Sequence, residues 1–314
     1  MGAEGQRAGR RPRRSEGGQV LVLTALALVG LLGFTALVVD VGLLYLGRAR
    51  CLNAAEAATT AGVQFLPFDP ARARAAALQY VRDNGFAPEQ AVVSITESNT
   101  RIDVTVQQDT ALFFARVLGF NTAPVGGTAA ARVAALTSLR GSVPLGVEKQ
   151  SFVYGATYYL KNSPGYGGSY KGNFGCLALG GRGAQNYEEN LLQGYDGELQ
   201  IGDVVETEPG NMSGPTSRGI NERIRQDPTG TYEHHDPASP RIIKVPVVEW
   251  SGGSGRSTAR VVGFAAFWLE GVGGEGNENY VTGRFMQLLT REGTAGSGDD
   301  SSYDYGLYTY WLIK

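Results

Sequence analysis

The chain carries thirty carboxylates but only two histidines, so any chemistry it performs must draw on a narrow set of side chains. Both histidines sit in His234-His235-Asp236, followed at once by Pro237. A zinc site would need further ligands from elsewhere, and adjacent histidines diverge on most backbones, so this string reads as a solvated loop. Asp203, Glu206 and Glu208 alternate along a strand end and could contribute oxygens to Ca²⁺, yet no EF-hand spacing accompanies them. Glycoside hydrolysis would need two carboxylates facing one cleft, for which Glu188, Glu189, Asp196 and Glu198 stand in a tyrosine-flanked region. With so many acids in the chain, a group of this kind arises without selection for catalysis.

The glycine-rich strings 165–175 and 180–183 lack the Gly-Lys-Ser/Thr ending of a phosphate-binding loop. Gly252-Gly-Ser-Gly255 lies in a turn cluster and is no nucleophile elbow. Tyr158, Tyr159, Tyr166, Tyr170, Tyr187 and Tyr195 could form an aromatic surface for a glycan or a protein, although strand packing accounts for at least half of them. The loop 207–216 combines two prolines and two glycines and reads as a connector that could also bind. The expectation is a protein without catalysis, cofactor or metal.

The formal charge of −2 argues against a nucleic-acid partner, because only the N-terminus clusters arginines. The two cysteines, Cys51 and Cys176, give neither a disulfide framework nor a metal knuckle. One bridge between them stays open, with two inert thiols the preferred reading.

Residues 20–39 form a run of twenty without a charge, ~30 Å long as a helix, which matches a hydrocarbon core. Arg7, Arg10, Arg11, Arg13 and Arg14 precede it, whereas Arg48 and Arg50 follow. This bias predicts a single-pass plasma-membrane protein with a cytoplasmic N-terminus and extracytoplasmic C-terminal domains. A cleaved signal peptide, with Ala55-Glu56-Ala57 as its box, is the competing reading; the apolar run exceeds the ~7–15 residues of such peptides. Nothing ends the helix before Pro67, and Gly42 and Gly47 only weaken it. Ala54, Ala57, Ala58 and Ala61 fall at i, i+3, i+4 and i+7, a smooth stripe suited to close approach by the chain's own domain or by another copy's helix.

These features together resemble a known family. Gly18-Gln19 before the apolar helix, Asp40-Val41-Gly42, and then Asn53-Ala54-Ala55-Glu56-Ala57-Ala58 with Ala61-Gly62 look like the N-terminal segment of TadG-like proteins of the tight-adherence (Flp) pilus assembly system. The resemblance spans residues 16–66. It implies a pilus-assembly or related secretion role, other pilus-assembly proteins as partners beside the lipid bilayer, and helix packing through these motif residues. Glu56, Leu52 and Thr60 depart from the family's usual Asp, Gln and apolar residue. The Asp-x-Ser-x-Ser of the von Willebrand A-type domain found in longer relatives is absent, and no acidic residue lies in the apolar helix as prepilin processing would require.

Residues 1–19 are thus expected to be a basic cytoplasmic tail and 20–66 the membrane-spanning and continuing helix. Residues 67–138 read as a small α+β unit, in the manner of pilin-like proteins: a helix at 71–84, a hairpin of 91–97 with 101–107, an amphipathic helix at 110–119 and a strand at 125–136. Glycine changes character at this point, with 31 of 45 falling after residue 138, and seven strand-like segments there predict a Gly/Tyr-rich β domain, sandwich- or barrel-like, over 139–314. The fold class expected is α+β. The alternatives carried with the pilus role are a membrane-tethered module binding glycan or cell wall and a tethered hydrolase.

Overall fold

The computed structural model describes residues 16–161, 175–251, 257–296 and 303–313, with side chains in the first helix from Val20 onward. The fold is α+β, opening with one long helix, α1 (Glu16–Val63). Its first half is a bare apolar rod: Leu21, Phe34 and Val38 are among many large side chains left exposed. Its second half is the centre of a hydrophobic core. Helix α2 (Pro70–Asp83) folds back on it, started by Asp69, whose carboxylate accepts the Arg72 N–H at 2.8 Å, and by Pro70 in the first turn.

Strands β1 (Ala91–Thr96), β2 (Arg101–Ala111) and β3 (Thr122–Arg140) follow. Alternation in β2 turns Ile102, Val104 and Val106 inward onto Ala54, Ala55 and Ala58 of α1. Close approach is enforced by Gly127 of β3, where an added Cβ would run into the backbone of Leu52. Most of the Ala stripe therefore packs within the chain: Ala54, Ala58 and Ala61 are buried, and Ala57 is half-buried.

The remaining strands are β4 (Val147–Glu148), β5 (Thr157–Leu160), β6 (Glu198–Gln200), β7 (Val204–Glu206), β8 (Ile242–Trp250), β9 (Thr258–Gly273), β10 (Tyr280–Met286), β11 (Leu288–Leu289), β12 (Gly293–Ala295) and β13 (Leu307–Ile313). One sheet runs β1-β2-β3-β13-β11, with β6 and β12 also on β3; the other runs β4-β8-β9-β10-β5, with β7 on β9. Strand β3 is long enough to serve both ends of the molecule, and residue 138 lies inside it. Strand β13 returns to pair with β3 from Tyr308↔Ala135 to Ile313↔Ala130. Between the sheets pack Leu136, Leu139, Val248, Phe264, Trp268 and Leu307.

One expectation needs correction and another needs extending. Residues 110–119 do not form an amphipathic helix: β2 continues to Ala111, paired with Thr122, and a single 3₁₀ turn, Ala115–Leu118, caps the hairpin and ends at Gly119 in left-handed conformation (φ +93°). Strand pairing and a carboxylate from α1, described below, take the backbone groups that a helix would need. The region after residue 139 is β-rich, as expected, but it also carries helices. Helices α3 (Ala184–Gln193) and α4 (Ser213–Gln226) cover one face of the second sheet, burying Tyr187, Leu191 and Ile220 against Val245, Phe267 and Phe285. Helix α4 absorbs the end of the loop expected at 207–216; of two stretches whose composition suggests strands, 152–160 forms one only from Thr157, and 176–179 makes only isolated bridges, Cys176 to Leu145 and Leu177 to Thr207.

Candidate functional site

Where α1 leaves its apolar run, Asp40 meets the hairpin tip. Its Oδ1 accepts the Phe113 N–H at 2.7 Å, its Oδ2 accepts the Ala115 N–H at 2.7 Å, and Phe114 donates to both oxygens at 3.2 Å. These are consecutive donors at the start of the 3₁₀ turn, so Asp40 acts as that turn's cap, supplied from another element. The side chain is 8% exposed. A carboxylate at the end of an apolar helix is costly unless its lone pairs are taken, and here three N–H groups take them.

From this junction the β2–β3 hairpin runs alongside α1. Gln108 Nε2 donates to the Gly47 carbonyl at 3.5 Å, Cys51 Sγ to the Val125 carbonyl at 3.9 Å, and Thr59 Oγ1 to the Ala129 carbonyl at 3.3 Å. A Cβ on Gly62 would press on Ala73 O at 3.0 Å and Ala77 Cβ at 3.3 Å, so that glycine admits α2. Gly42 has open space around it. Gln19 lies in the helix's first turn, with its side chain outside the described residues.

The motif residues therefore divide by direction. Ala54, Ala55, Ala58, Ala61 and Gly62 face the sheet and α2, whereas Asn53 and Glu56 point outward and Ala57 is half-buried. Asn53, Glu56, Ala57 and Thr60 form one wall of an open groove closed by Tyr80 of α2 and Leu312 of β13. Tyr80 and Leu312 are 48% and 46% exposed. The contribution of Leu312 could not be read from the sequence, because the last strand gives no local sign that it returns to the first sheet.

Most of the carboxylates considered for chemistry are engaged by other groups, and His234, His235 and Asp236 line one open pocket with Asp227 and Glu233. Arg218 Nε donates to Glu188 at 3.0 Å, and that guanidinium holds the carboxyl below its ordinary range. Gln185 donates to Glu189 at 3.1 Å, Ser138 to Glu198 at 2.5 Å, and the Gly183 N–H to Glu208 at 2.7 Å. Glu206 pairs with Arg182, and Asp203 accepts the Gln200 N–H at 2.8 Å; Asp196 is exposed. His235 places Nδ1 2.8 Å from the Tyr232 carbonyl with its ring beside Trp268, while His234 is exposed. Asp236 accepts the Ala238 N–H at 2.8 Å. Among the described residues no three His, Cys, Asp or Glu side chains converge as a metal site would need.

Cys51 and Cys176 are both buried and unbridged. Burial pushes the Cys176 thiol up to about 11. Tyr187 is fully buried, and the half-buried Tyr158 packs its ring edge-on against Phe152 and Phe285, so both serve the core. Tyr166, Tyr170, the glycine string up to residue 174 and Gly252-Gly-Ser-Gly255 lie outside the described residues.

Comparison with known proteins adds a family to this geometry. Residues 18–77, which comprise α1 from its third residue and the first half of α2, match a family model described as putative Flp pilus-assembly TadE/G-like. No curated protein and no solved structure matches the chain. The matched segment ends within the helical pair and does not include either sheet.

Proposed function

Starting from a TadE/G-like pilus-assembly segment built as one apolar, anchor-forming helix, we propose that the chain is a non-enzymatic component of Flp pilus assembly or a related secretion machine, acting through protein contacts. The helix enters the plasma membrane from the cytoplasm, a direction supported by the five arginines before it and the two after. The two-sheet domain then stands outside the membrane on the second half of the same helix. Because that half is core to the domain, movement of the anchor is passed to the domain without a hinge.

The observation that carries this reading is the split in direction of the helix motif. Ala54, Ala55 and Ala58 are spent on the chain's own core, while Asn53, Glu56 and Ala57 look into the groove beside Tyr80 and Leu312. Partner proteins, or a second copy, would meet the chain there. Glu188, Glu208 and Asp203 are held by an arginine or by backbone N–H groups, which favours contact over turnover at those positions.

Complementation tests the role. In cells deleted for this protein, the wild type and a variant with alanine at Glu188, Glu189, Asp196, Glu198, His234 and His235 should both restore piliation. Restoration by the wild type alone, with the variant folded and present in membranes, would point to chemistry instead. Piliation that persists in the deletion strain would remove the assembly role.

A further inference from the structure

The tip of the β2–β3 hairpin carries an apolar surface that the described chain leaves uncovered. Residues 112–121 read LFFARVLGFN, with Arg116 as their only charge. Phe113, Val117, Leu118 and Phe120 are 69%, 88%, 78% and 64% exposed. A patch of this kind on a folded domain marks a contact with something apolar.

Its position identifies the contact. The hairpin follows α1 backward from Thr59 at Ala129, through Cys51 at Val125 and Gly47 at Gln108, to Asp40 at the tip, a descent of ~28 Å along the helix. Asp40 is the first charge after the twenty-residue apolar run. Residues 20–39 fill ~30 Å, the hydrocarbon core, and the headgroup layer on one side, about 5–7 Å deep, takes in roughly four or five residues more. Residues 40–44 and the tip thus share the interfacial layer. Tyr45, 73% exposed, lies at the rim of this layer, and aromatic rings favour the interface between membrane and water.

We infer that the tip, residues 113–120, inserts into the lipid interface on the side where α1 leaves the membrane. Phe113, Val117, Leu118 and Phe120 enter the acyl boundary, and Arg116 extends its guanidinium to lipid phosphates. Lipid is the occupant because the N–H groups of Phe113, Phe114 and Ala115, bound to Asp40, hold the turn against the helix at the bilayer's edge, where headgroups and the ends of acyl chains surround the helix. The chain then touches the membrane at two places, the helix and the turn, which fixes the tilt and height of the outer domain. The inference rests on α1 spanning the membrane, and its test separates the two.

The full chain is reconstituted into vesicles of phosphatidylcholine and phosphatidylglycerol, with an NBD fluorophore on Leu118→Cys, Leu28→Cys or Val153→Cys. Native Cys51 and Cys176 are both 0% exposed and stay unlabelled. Nitroxide-bearing lipids should quench most of the emission from positions 28 and 118 and little from 153. Phe120→Cys, read in the same way, guards against a local effect of one substitution. Quenching at 28 with none at 118 and 120 would overturn tip insertion and leave the span intact; loss of quenching at all three would remove both. A blue-shifted, unquenched probe at 118 that depends on protein density would mean a protein covers the tip, and the inference would fail.

Discussion

The Asp40 carboxylate accepts the Phe113 N–H at 2.7 Å across 73 residues of chain, joining the end of the apolar run within α1 to the end of a β-hairpin. The bond belongs to a set of three to successive donors, so the hairpin tip has one defined position on α1. Asp40→Ala should leave the amides of Phe113, Phe114 and Ala115 without an acceptor. Hydrogen exchange on the solubilised chain should show these three amides losing protection while those of Val104 and Val106, in the core part of β2, keep theirs. Unchanged protection at 113–115 would mean that the cap is dispensable.

Gly127 lies where β3 crosses α1, with the backbone of Leu52 in the space a Cβ would take. Gly127→Val should separate helix and sheet and destabilise the domain by about 1–3 kcal/mol, read as a lower Tm. A variant as stable as the wild type would show that the helix docks less closely than described.

Phe267 is fully buried and rests edge-on against Phe285 at 5.0 Å, beneath α3 and α4. Phe267→Ala should cost about 3–5 kcal/mol, because the surrounding β8–β10 sheet cannot close over the cavity. The same helices explain where sequence reading stops. The long helix, the alanines and the β1–β2 hairpin were legible because periodicity and turn residues are local signals. Helix α4 was not, since SGPTSRGINERIRQ holds two glycines, a proline and few apolar residues. It forms because Gly219 lets Leu191 approach and because Arg223, largely buried, donates to the carbonyls of Leu191 and Pro240 at 2.6 Å. At 110–119 the apolar pattern fits a helix equally well, and strand pairing with residues 122–123 decided against it. Asp40 was legible as a motif residue, but its role depends on a partner distant in sequence.

Lys161 is 4% exposed and donates to Asn279 Oδ1, and burial pushes its ammonium down to about 8 from 10.5. Below pH about 8 both folded and unfolded chains hold the proton, and the cost of burying it is fully present. Between about 8 and 10.5 the unfolded chain binds the proton and the folded chain does not, so this residue's contribution improves as pH rises. Lys161→Met removes the dependence. The stability of the variant minus that of the wild type should therefore fall by about 2–3 kcal/mol across that window. Leaving Asn279 Oδ1 without its donor shifts the whole difference but not its slope. Thermal unfolding at several pH values, with both proteins compared at each, measures it; a flat difference would mean that Lys161 keeps its ordinary titration.

The central claim is that the outward face of α1 meets other assembly proteins while its inward face holds the domain. A photocrosslinking residue placed at Asn53, Glu56 or Thr60 in piliated cells tests it most directly, with Val204 on the far sheet as the control. The account predicts adducts to another pilus-assembly component, or to a second copy of this chain, from the three helix positions and none from 204. Adduct-free helix positions in cells that still assemble pili would contradict it.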